Sequence, residues 1–314
     1  MVKLGDVINV HYGKALKADQ RVSNGSVHVF GSSGIVGNHD KTLCSYPTII
    51  IGRKGSVGAI TWAPDGGWII DTAYYVEIKD NNKLDLRYLF YILSGIDLTK
   101  KTITTSIPGL NRDDLYDTFI KLPPFEEQKR IVDLLDKAEG IRQKREQAIK
   151  LADDFLRATF ATMYGNPITN PKKWPVHLMG EIIEFKGGNQ PPKSDFIFEP
   201  KQGYIRLVQI RDFKSDKYAT YIPQEKAKRI FEVDDVMIAR YGPPVFQILR
   251  GLSGSYNVAL MKASPKENIR KGFIFYLLQL PEYHDVVVKN SERTAGQTGV
   301  NLELLNKFNV PLPP

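Results

Sequence analysis

The chain has 314 residues, with 43 Lys or Arg against 35 Asp or Glu, which gives a formal net charge of +8. Hydrophobic residues make up 42% of it and charged residues 25%, a composition typical of a soluble globular protein that excludes a largely disordered chain and a collagen-like repeat. No apolar run approaches the roughly 20 residues that a membrane-spanning helix needs. The length suggests two domains, and the positive charge favours an anionic partner, nucleic acid before a membrane surface.

The N-terminus and the cysteine content indicate the cellular compartment in which the protein is expected to act. Residues 1–6 lack the basic stretch followed by an apolar run that marks a secretory signal. The single cysteine, Cys44, leaves no internal disulfide and no cysteine-cluster zinc site, and we interpret it as a packed small hydrophobic residue. We therefore expect a cytoplasmic protein.

Short β-rich runs bounded by Gly, Pro, Asn and Ser fill the first third of the chain, as at Val27–Phe30 and Trp68–Ile70. One aromatic-rich helical stretch, Leu86–Ser94, follows them. The segment Gly31–Gly37 lacks the Gly-Lys-Ser/Thr ending of a phosphate-binding loop, and we interpret it as a flexible loop between strands. This pattern predicts an α+β domain, mostly β, whose helices are segregated from a mainly antiparallel sheet.

An enzymatic alternative rests on Asp65, preceded by proline, and on Glu77 and Lys79 further along the chain. Their order resembles the PD-(D/E)xK nuclease motif, in which two carboxylates hold Mg²⁺ and the lysine helps to activate water. The same residues fit a turn at Ala63–Gly67 followed by an alternating strand over Tyr74–Lys79, which is the interpretation that we favour. Because the five histidines are also far apart in the sequence, we predict neither a catalytic residue nor a metal site.

The segment 124–165 has a different character and predicts one long helix. It is dense in strong helix formers, carries Glu126 and Glu127 in its first turn, and ends at Gly165, which stops the helix. About 39 residues at a rise of roughly 1.5 Å give a rod of about 58 Å. Apolar or small residues recur in steps of three and four and form a coiled-coil-type seam, with Leu135 beside it. The residues predicted to pack there are Ile131, Leu134, Leu135, Ala138, Ile141, Ala148, Ala152 and Phe155.

The last part of the chain repeats the first. Gly109–Pro124 aligns without a gap on Gly299–Pro314, and both segments end in Leu-Pro-Pro. Three more pairs keep the same order, and they are Leu4–Ile8 with Met179–Ile183, Ile49–Gly55 with Val236–Gly242, and Leu86–Tyr91 with Lys271–Tyr276. Four ordered matches indicate a tandem duplication. We therefore divide the chain into a first domain (1–123), a spacer helix (124–165) and a second domain (166–314).

The residues that open the helix resemble a known family. Leu122–Leu135 reads LPPFEEQKRIVDLL and is similar to the start of the central conserved region of type I restriction-modification specificity subunits. Val29–Gly37, Ile50–Gly58 and Gly109–Pro124 resemble other elements of that family, so the resemblance covers almost the whole chain. It implies two target-recognition domains held apart by long conserved helices, each domain reading one half of a bipartite site in double-stranded DNA.

The resemblance also implies that this chain has no catalytic activity and no cofactor of its own. It implies that methyltransferase (modification) subunits methylate adenine with S-adenosylmethionine, and that restriction subunits use ATP and Mg²⁺. The family pattern is domain, helix, domain, helix, whereas this sequence reaches Pro314 where the second helix is expected to begin. Three explanations are open: a truncated chain, a partner helix from another subunit or from a second copy of this chain, or a degenerate protein.

We expect the DNA contacts to come from loops, because base edges must be reached within the grooves. Arg53 with Lys54, and Arg240 with Tyr241, follow a strand and precede a glycine turn, and arginine suits bidentate recognition of guanine. Polar loops before the two closing segments supply further candidates. The complete set of predicted DNA-binding residues is Arg53, Lys54, Ser56, Thr105, Arg112, Gln209, Arg211, Arg240, Tyr241, Arg293, Gln297 and Thr298. A scaffold that recruits partners through the helix without binding DNA is the second alternative.

Overall fold

The structure is a computed structural model that describes residues 1–101, 109–242, 244–266, 268–294 and 297–314, without the side chains of residues 100, 101, 292–294, 297 and 298. The chain forms two compact units, Met1–Gln147 and Ala148–Pro314. Within the described residues, no helix is both long enough and apolar enough to cross a membrane.

The first unit is built from short strands and helices that precede one long helix. Its strands are Val2–Lys3 (β1), Ile8–Tyr12 (β2), Val27–Gly31 (β3), Gly34–His39 (β4), Thr48–Gly52 (β5), Ile60–Ala63 (β6), Trp68–Ile69 (β7), Ala73–Ile78 (β8) and Phe119–Ile120 (β9). The helices are Leu4–Val7 (α1), Leu86–Ser94 (α2), Arg112–Tyr116 (α3) and Phe125–Tyr164 (α4).

Two sheets and a layer of helices pack around the central strand β5. One sheet is antiparallel with the order β2-β8-β5-β6, and the other has the order β4-β3-β7. Successive side chains of a strand point to opposite faces, so Ile49 and Ile51 enter the core under the helices whereas Ile50 packs between the two sheets. This two-sided burial explains why β5 contains three consecutive isoleucines.

The structure corrects one prediction in this unit. We predicted a flexible loop over Gly31–Gly37, but these residues form most of a hairpin in which β3 and β4 are joined by Ser32 and Ser33. Gly34 has φ of +110°, a conformation that glycine adopts readily. The glycines therefore serve the tight turn between two strands.

The second unit repeats this architecture. Its strands are Val176–Leu178 (β10), Ile183–Gly187 (β11), Tyr204–Val208 (β12), Tyr221–Pro223 (β13), Ile230–Phe231 (β14), Val236–Ala239 (β15), Ile248–Leu249 (β16), Gly254–Tyr256 (β17), Leu260–Pro265 (β18), Glu292–Thr294 (β19), Gln297–Gly299 (β20) and Asn309–Pro311 (β21). The remaining helices are Met179–Ile182 (α5), Lys271–Leu277 (α6), Pro281–Lys289 (α7) and Leu302–Asn306 (α8).

The sheet orders confirm the tandem duplication and the α+β class. The order β11-β18-β15-β16 reproduces β2-β8-β5-β6, and β12 pairs antiparallel with β13 and parallel with β17, as β3 does with β4 and β7. One difference matters below, because the turn of two residues between β3 and β4 is replaced by residues 209–220 between β12 and β13. In the second unit, the predicted polar loop before the last helix contains the paired strands β19 and β20.

The predicted long helix is confirmed as α4, whose 40 residues lie between the two repeats in the chain and belong partly to each unit. Its start is fixed by Gln128, which is fully buried. The Gln128 side chain accepts a hydrogen bond from the N–H of Asp85 (2.9 Å) and donates to the carbonyls of Lys83 (2.8 Å) and Pro123 (2.9 Å). Beyond it, Ile131 packs against the core of the first unit.

The end of α4 is fixed in the second unit by Tyr164. Its ring is buried among Phe160, Trp174 and Phe273, and its hydroxyl donates to the carbonyl of Pro311 at 2.6 Å. Gly165, which follows with φ of +82°, ends the helix as predicted. Both ends of α4 are therefore packed, each within its own unit.

Gly52, where β5 ends, is expected to tolerate no side chain. A Cβ there would lie 2.0 Å from the carbonyl oxygen of Ser56 and 2.9 Å from that of Ser32. We expect Gly52→Ala to lower the free energy of unfolding by about 1–3 kcal/mol, measured by urea denaturation. Gly272→Ala is the matched control, because an added Cβ in α6 meets nothing within 4 Å and is expected to stabilise the chain by about 0.5–1 kcal/mol. If the Gly52→Ala variant were as stable as the wild type, the close approach of the Ser56 and Ser32 carbonyls would not exclude a side chain at this position.

Candidate nucleic-acid interface

An arginine turn follows the central strand in both units and is held by the same backbone contacts. In the first unit, the carbonyl of Arg53 accepts a hydrogen bond from the N–H of Leu110 at 2.9 Å, and Lys54 forms a β-bridge with Gly109. In the second unit, the carbonyl of Arg240 accepts from the N–H of Val300 at 3.1 Å, and Tyr241 forms a bridge with Gly299. The duplicated fold thus places these two predicted residue pairs at equivalent positions.

In the first unit the structure brings two predicted residues together around a tyrosine. The guanidinium carbons of Arg53 and Arg112 lie 5.0 and 5.2 Å from the centre of the Tyr12 ring, at the end of β2. The ring of Tyr12 packs edge-on against Tyr74, whose hydroxyl donates to the carbonyl of Leu110 at 3.0 Å. Burial raises the pKa of Tyr74 to about 12, so this hydroxyl stays protonated at neutral pH.

The equivalent arginine of the second unit has a different neighbour. The guanidinium carbon of Arg240 lies 5.0 Å from the centre of the Tyr241 ring. The position that corresponds to Tyr12 is Gly187, where an added Cβ would lie 3.4 Å from a terminal nitrogen of Arg240. The arginine side chain therefore covers a glycine in this unit, and its aromatic partner is the next residue of the turn.

Two more predicted residues lie in the loop 209–220 of the second unit. The side-chain amide of Gln209 donates to Thr220 at 3.4 Å, so it takes part in holding the loop together. Arg211 is exposed, with its Nε 3.9 Å from a carboxylate oxygen of the buried Asp212. Asp212 also accepts from the N–H of Gln209 at 2.8 Å, and burial raises the pKa of its carboxyl above the usual range.

Of the remaining predicted DNA-binding residues, some are exposed and the others lie, wholly or with their side chains, outside the described part of the chain. Lys54 and Ser56 are exposed in the first turn. Thr105 lies outside the described residues. Arg293, Gln297 and Thr298 belong to the hairpin β19–β20, where Arg293 faces Thr298 in the register, but their side chains also lie outside the described part of the chain.

Most of the predicted packing residues of α4 are uncovered. Ile131 is half-buried against the first unit. The exposed fraction is 68% at Leu134, 55% at Ile141 and 69% at Phe155. The other predicted packing residues are also exposed, and they are Leu135, Ala138, Ala148 and Ala152. The middle of α4 thus presents an apolar stripe that nothing in the described chain buries.

The geometry offers no support for the nuclease alternative. A carboxylate oxygen of Glu77 lies 2.9 Å from a ring nitrogen of His11, and the ammonium of Lys79 donates to the carbonyl of Gly5. Asp65 is exposed in the turn after β6. Among the residues that the structure describes, no three His, Cys, Asp or Glu side chains are grouped so that they could hold a metal ion.

Sequence reasoning missed Tyr12 as a neighbour of the arginine turn. Its distance from Arg53 along the chain hides the contact, which the strand order β2-β8-β5 creates. The alignment of the two repeats contained one indication that this position is special. When Ile8 is aligned with Ile183, Tyr12 pairs with Gly187, so the two repeats differ there.

Known proteins similar to this chain come from bacteria and archaea. The specificity subunit of the type I restriction enzyme EcoBI from Escherichia coli is 22% identical over 308 residues, covering 85% of this chain and 64% of that protein. The specificity subunit of the type I restriction enzyme MjaVIII from Methanocaldococcus jannaschii is 20% identical over 276 residues, covering 76% of this chain and 62% of that protein. The chain therefore spans less than two thirds of the length of these curated relatives.

A solved structure shares the fold, and a family model matches both repeats. The crystal structure of the type I restriction-modification system S subunit from M. genitalium superposes with a TM-score of 0.58 at 17% identity, covering 99% of this chain and 83% of that one. The sequence model of the type I restriction modification DNA specificity domain matches residues 1–151 and, a second time, residues 171–314. Because these two matches cover nearly the whole chain, the protein belongs to the type I restriction modification DNA specificity domain family.

Proposed function

We propose that this chain is the DNA-recognition subunit of a type I restriction-modification complex and that it acts in the cytoplasm. Each repeated domain reads one half of a bipartite site in double-stranded DNA. The observation that carries the proposal is the duplicated arginine turn, in which Arg53 and Arg240 follow equivalent strands and are held by equivalent backbone bonds. A guanidinium on a rigid turn is suited to bidentate contact with guanine or with a phosphate.

The chemistry of the complex belongs to partner subunits in this proposal. The modification subunits methylate adenine with S-adenosylmethionine, and the restriction subunits use ATP and Mg²⁺, so this chain needs no cofactor. The apolar stripe of α4, which includes Leu134, Ile141 and Phe155, is the docking surface for a modification subunit. An exposed apolar face of this kind is typical of a protein interface.

In vitro selection tests the proposal. The full chain with its modification subunits is incubated with a pool of random DNA duplexes, and the bound fraction is amplified and sequenced over several rounds. We expect a motif with two specified halves and an unspecified gap of fixed length. Arg53→Ala is expected to relax specificity in one half and Arg240→Ala in the other, by about 1–3 kcal/mol each. Recovery of no motif, or relaxation of the same half by both variants, would contradict the proposal.

A further inference from the structure

In the first unit, one exposed tyrosine has two cationic side chains close to its ring. Tyr12 is 45% exposed, and both Arg53 and Arg112 pack against its ring. Among the described residues, no carboxylate lies within 4.0 Å of either guanidinium group. The Nε of Arg112 is buried and has no hydrogen-bond partner among the residues that the structure describes, although Arg112 as a whole is partly exposed.

The second unit contains a similar combination on a different element, although there the Nε of Arg211 also lies 3.9 Å from a carboxylate oxygen of Asp212. Tyr218, in the loop 209–220, is 56% exposed. The guanidinium carbon of Arg211 lies 5.5 Å from the centre of its ring, and the ammonium of Lys217 lies 5.4 Å from it. Arg211 also donates to the carbonyl of Tyr218 at 3.5 Å, which keeps the cation beside the ring.

These two sites are not copies of each other. The position equivalent to Tyr12 is Gly187, and the position equivalent to Arg112 is Leu302. Conversely, the loop 209–220 that carries Tyr218 corresponds to the two-residue turn between β3 and β4 in the first unit. Each repeat therefore has an exposed tyrosine with two cations, placed where the other repeat lacks one.

The charges and the ring together indicate the ligand. Two cations held on one ring repel each other, and an anion bound beside them would relieve that repulsion. The exposed part of the aromatic ring beside the cations adds an apolar surface that can pack on a sugar or a base, and cation–π contact keeps each cation in place. DNA provides a phosphate next to an apolar sugar and a base, whereas an acidic protein surface provides the negative charge alone.

We propose that Tyr12 and Tyr218 are DNA-contact residues, each binding the sugar-phosphate backbone or a base beside its two cations. This inference rests on the DNA-recognition function proposed above and deepens it. Because the tyrosines lie on non-equivalent elements, each domain adds a different contact to that of its arginine turn, and this difference suits half-sites of different sequence.

The test measures the affinity of the full chain with its modification subunits for a duplex that carries the selected motif. We expect Tyr12→Ala and Tyr218→Ala each to weaken binding about tenfold, and the double variant about a hundredfold, because the two sites lie in separate units. Tyr12→Phe and Tyr218→Phe keep the ring and its cations and are expected to bind within about threefold of the wild type. Arg112→Gln is expected to reduce the slope of log affinity against log salt by about one.

Tyr46→Ala is the matched control. Its ring is 37% exposed, and no cation within the described residues packs against it, so its replacement is expected to leave the affinity unchanged. Thermal melting of every variant separates lost binding from lost folding.

If the wild type binds but the alanine variants bind equally well, this inference fails and the proposed function stands. If the wild type itself does not bind any selected duplex, both fail. If the alanine variants lose the modification subunits instead of DNA, the tyrosines contact protein and the inference is overturned.

Discussion

Tyr164→Ala is expected to lower the free energy of unfolding by about 3–5 kcal/mol, the range seen when a large buried side chain is removed from a core. The ring is 5% exposed and packs against Phe160, Trp174 and Phe273, and its hydroxyl bonds to the carbonyl of Pro311. The substitution therefore opens a cavity and leaves the carbonyl of Pro311 without its partner at the point where α4 ends in the second unit. Urea denaturation of the full chain measures the effect.

Phe155→Ala is the matched control on the same helix. The ring of Phe155 is 69% exposed, so its removal is expected to change the free energy of unfolding by less than about 0.5 kcal/mol. Tyr164→Phe separates the two contributions, because it keeps the ring and loses only the hydrogen bond, at a cost of about 1 kcal/mol. Equal effects of the two alanine substitutions would contradict the assignment of Tyr164 as the anchor of α4.

The apolar stripe of α4 is expected to control assembly without affecting folding. Replacing both Ile141 and Phe155 with aspartate puts two charges on a surface that is already exposed, so the melting temperature of the isolated chain should change little. Binding of a modification subunit is expected to weaken by at least about a thousandfold, because each buried anchor of an interface is worth about 2 kcal/mol or more. Co-purification and analytical ultracentrifugation measure this loss.

A control on the opposite face of α4 distinguishes loss of the apolar stripe from the mere introduction of two aspartates into the helix. Gln143→Asp together with Lys150→Asp introduces the same residue type at the same number of positions, away from the stripe, and is expected to leave assembly intact. Loss of self-association in the stripe variant, with modification-subunit binding unchanged, would identify a second copy of the chain as the occupant. Unchanged assembly in both variants would contradict the docking role of the stripe.

The tandem duplication and the two ends of the long helix α4 could be predicted from the sequence. The bounds of α4 followed from Glu126 and Glu127 at its start and Gly165 at its end, since capping and helix propensity act locally. The equivalence of Arg53 and Arg240 followed from the matching strands before them. These features depend on neighbours in the sequence, which an alignment of the chain with itself can detect.

Other features could not be predicted from the sequence. Gly31 and Gly34 suggested a flexible loop, yet they pair with each other across a two-residue hairpin turn. Helix α7 was not predicted, and its Pro281 lies in the first turn, where a missing N–H costs nothing. Tyr12 was missed because only the order of the strands brings it to Arg53.

The most direct test of DNA recognition by this chain is a genome-wide map of adenine methylation. Cells that express the chain with a matching modification subunit are compared with cells that express that modification subunit alone. We predict a new methylated motif with two specified halves separated by a fixed gap, present only when the chain is expressed. The absence of any new methylated motif, with the assembled complex present in the cells, would contradict the account.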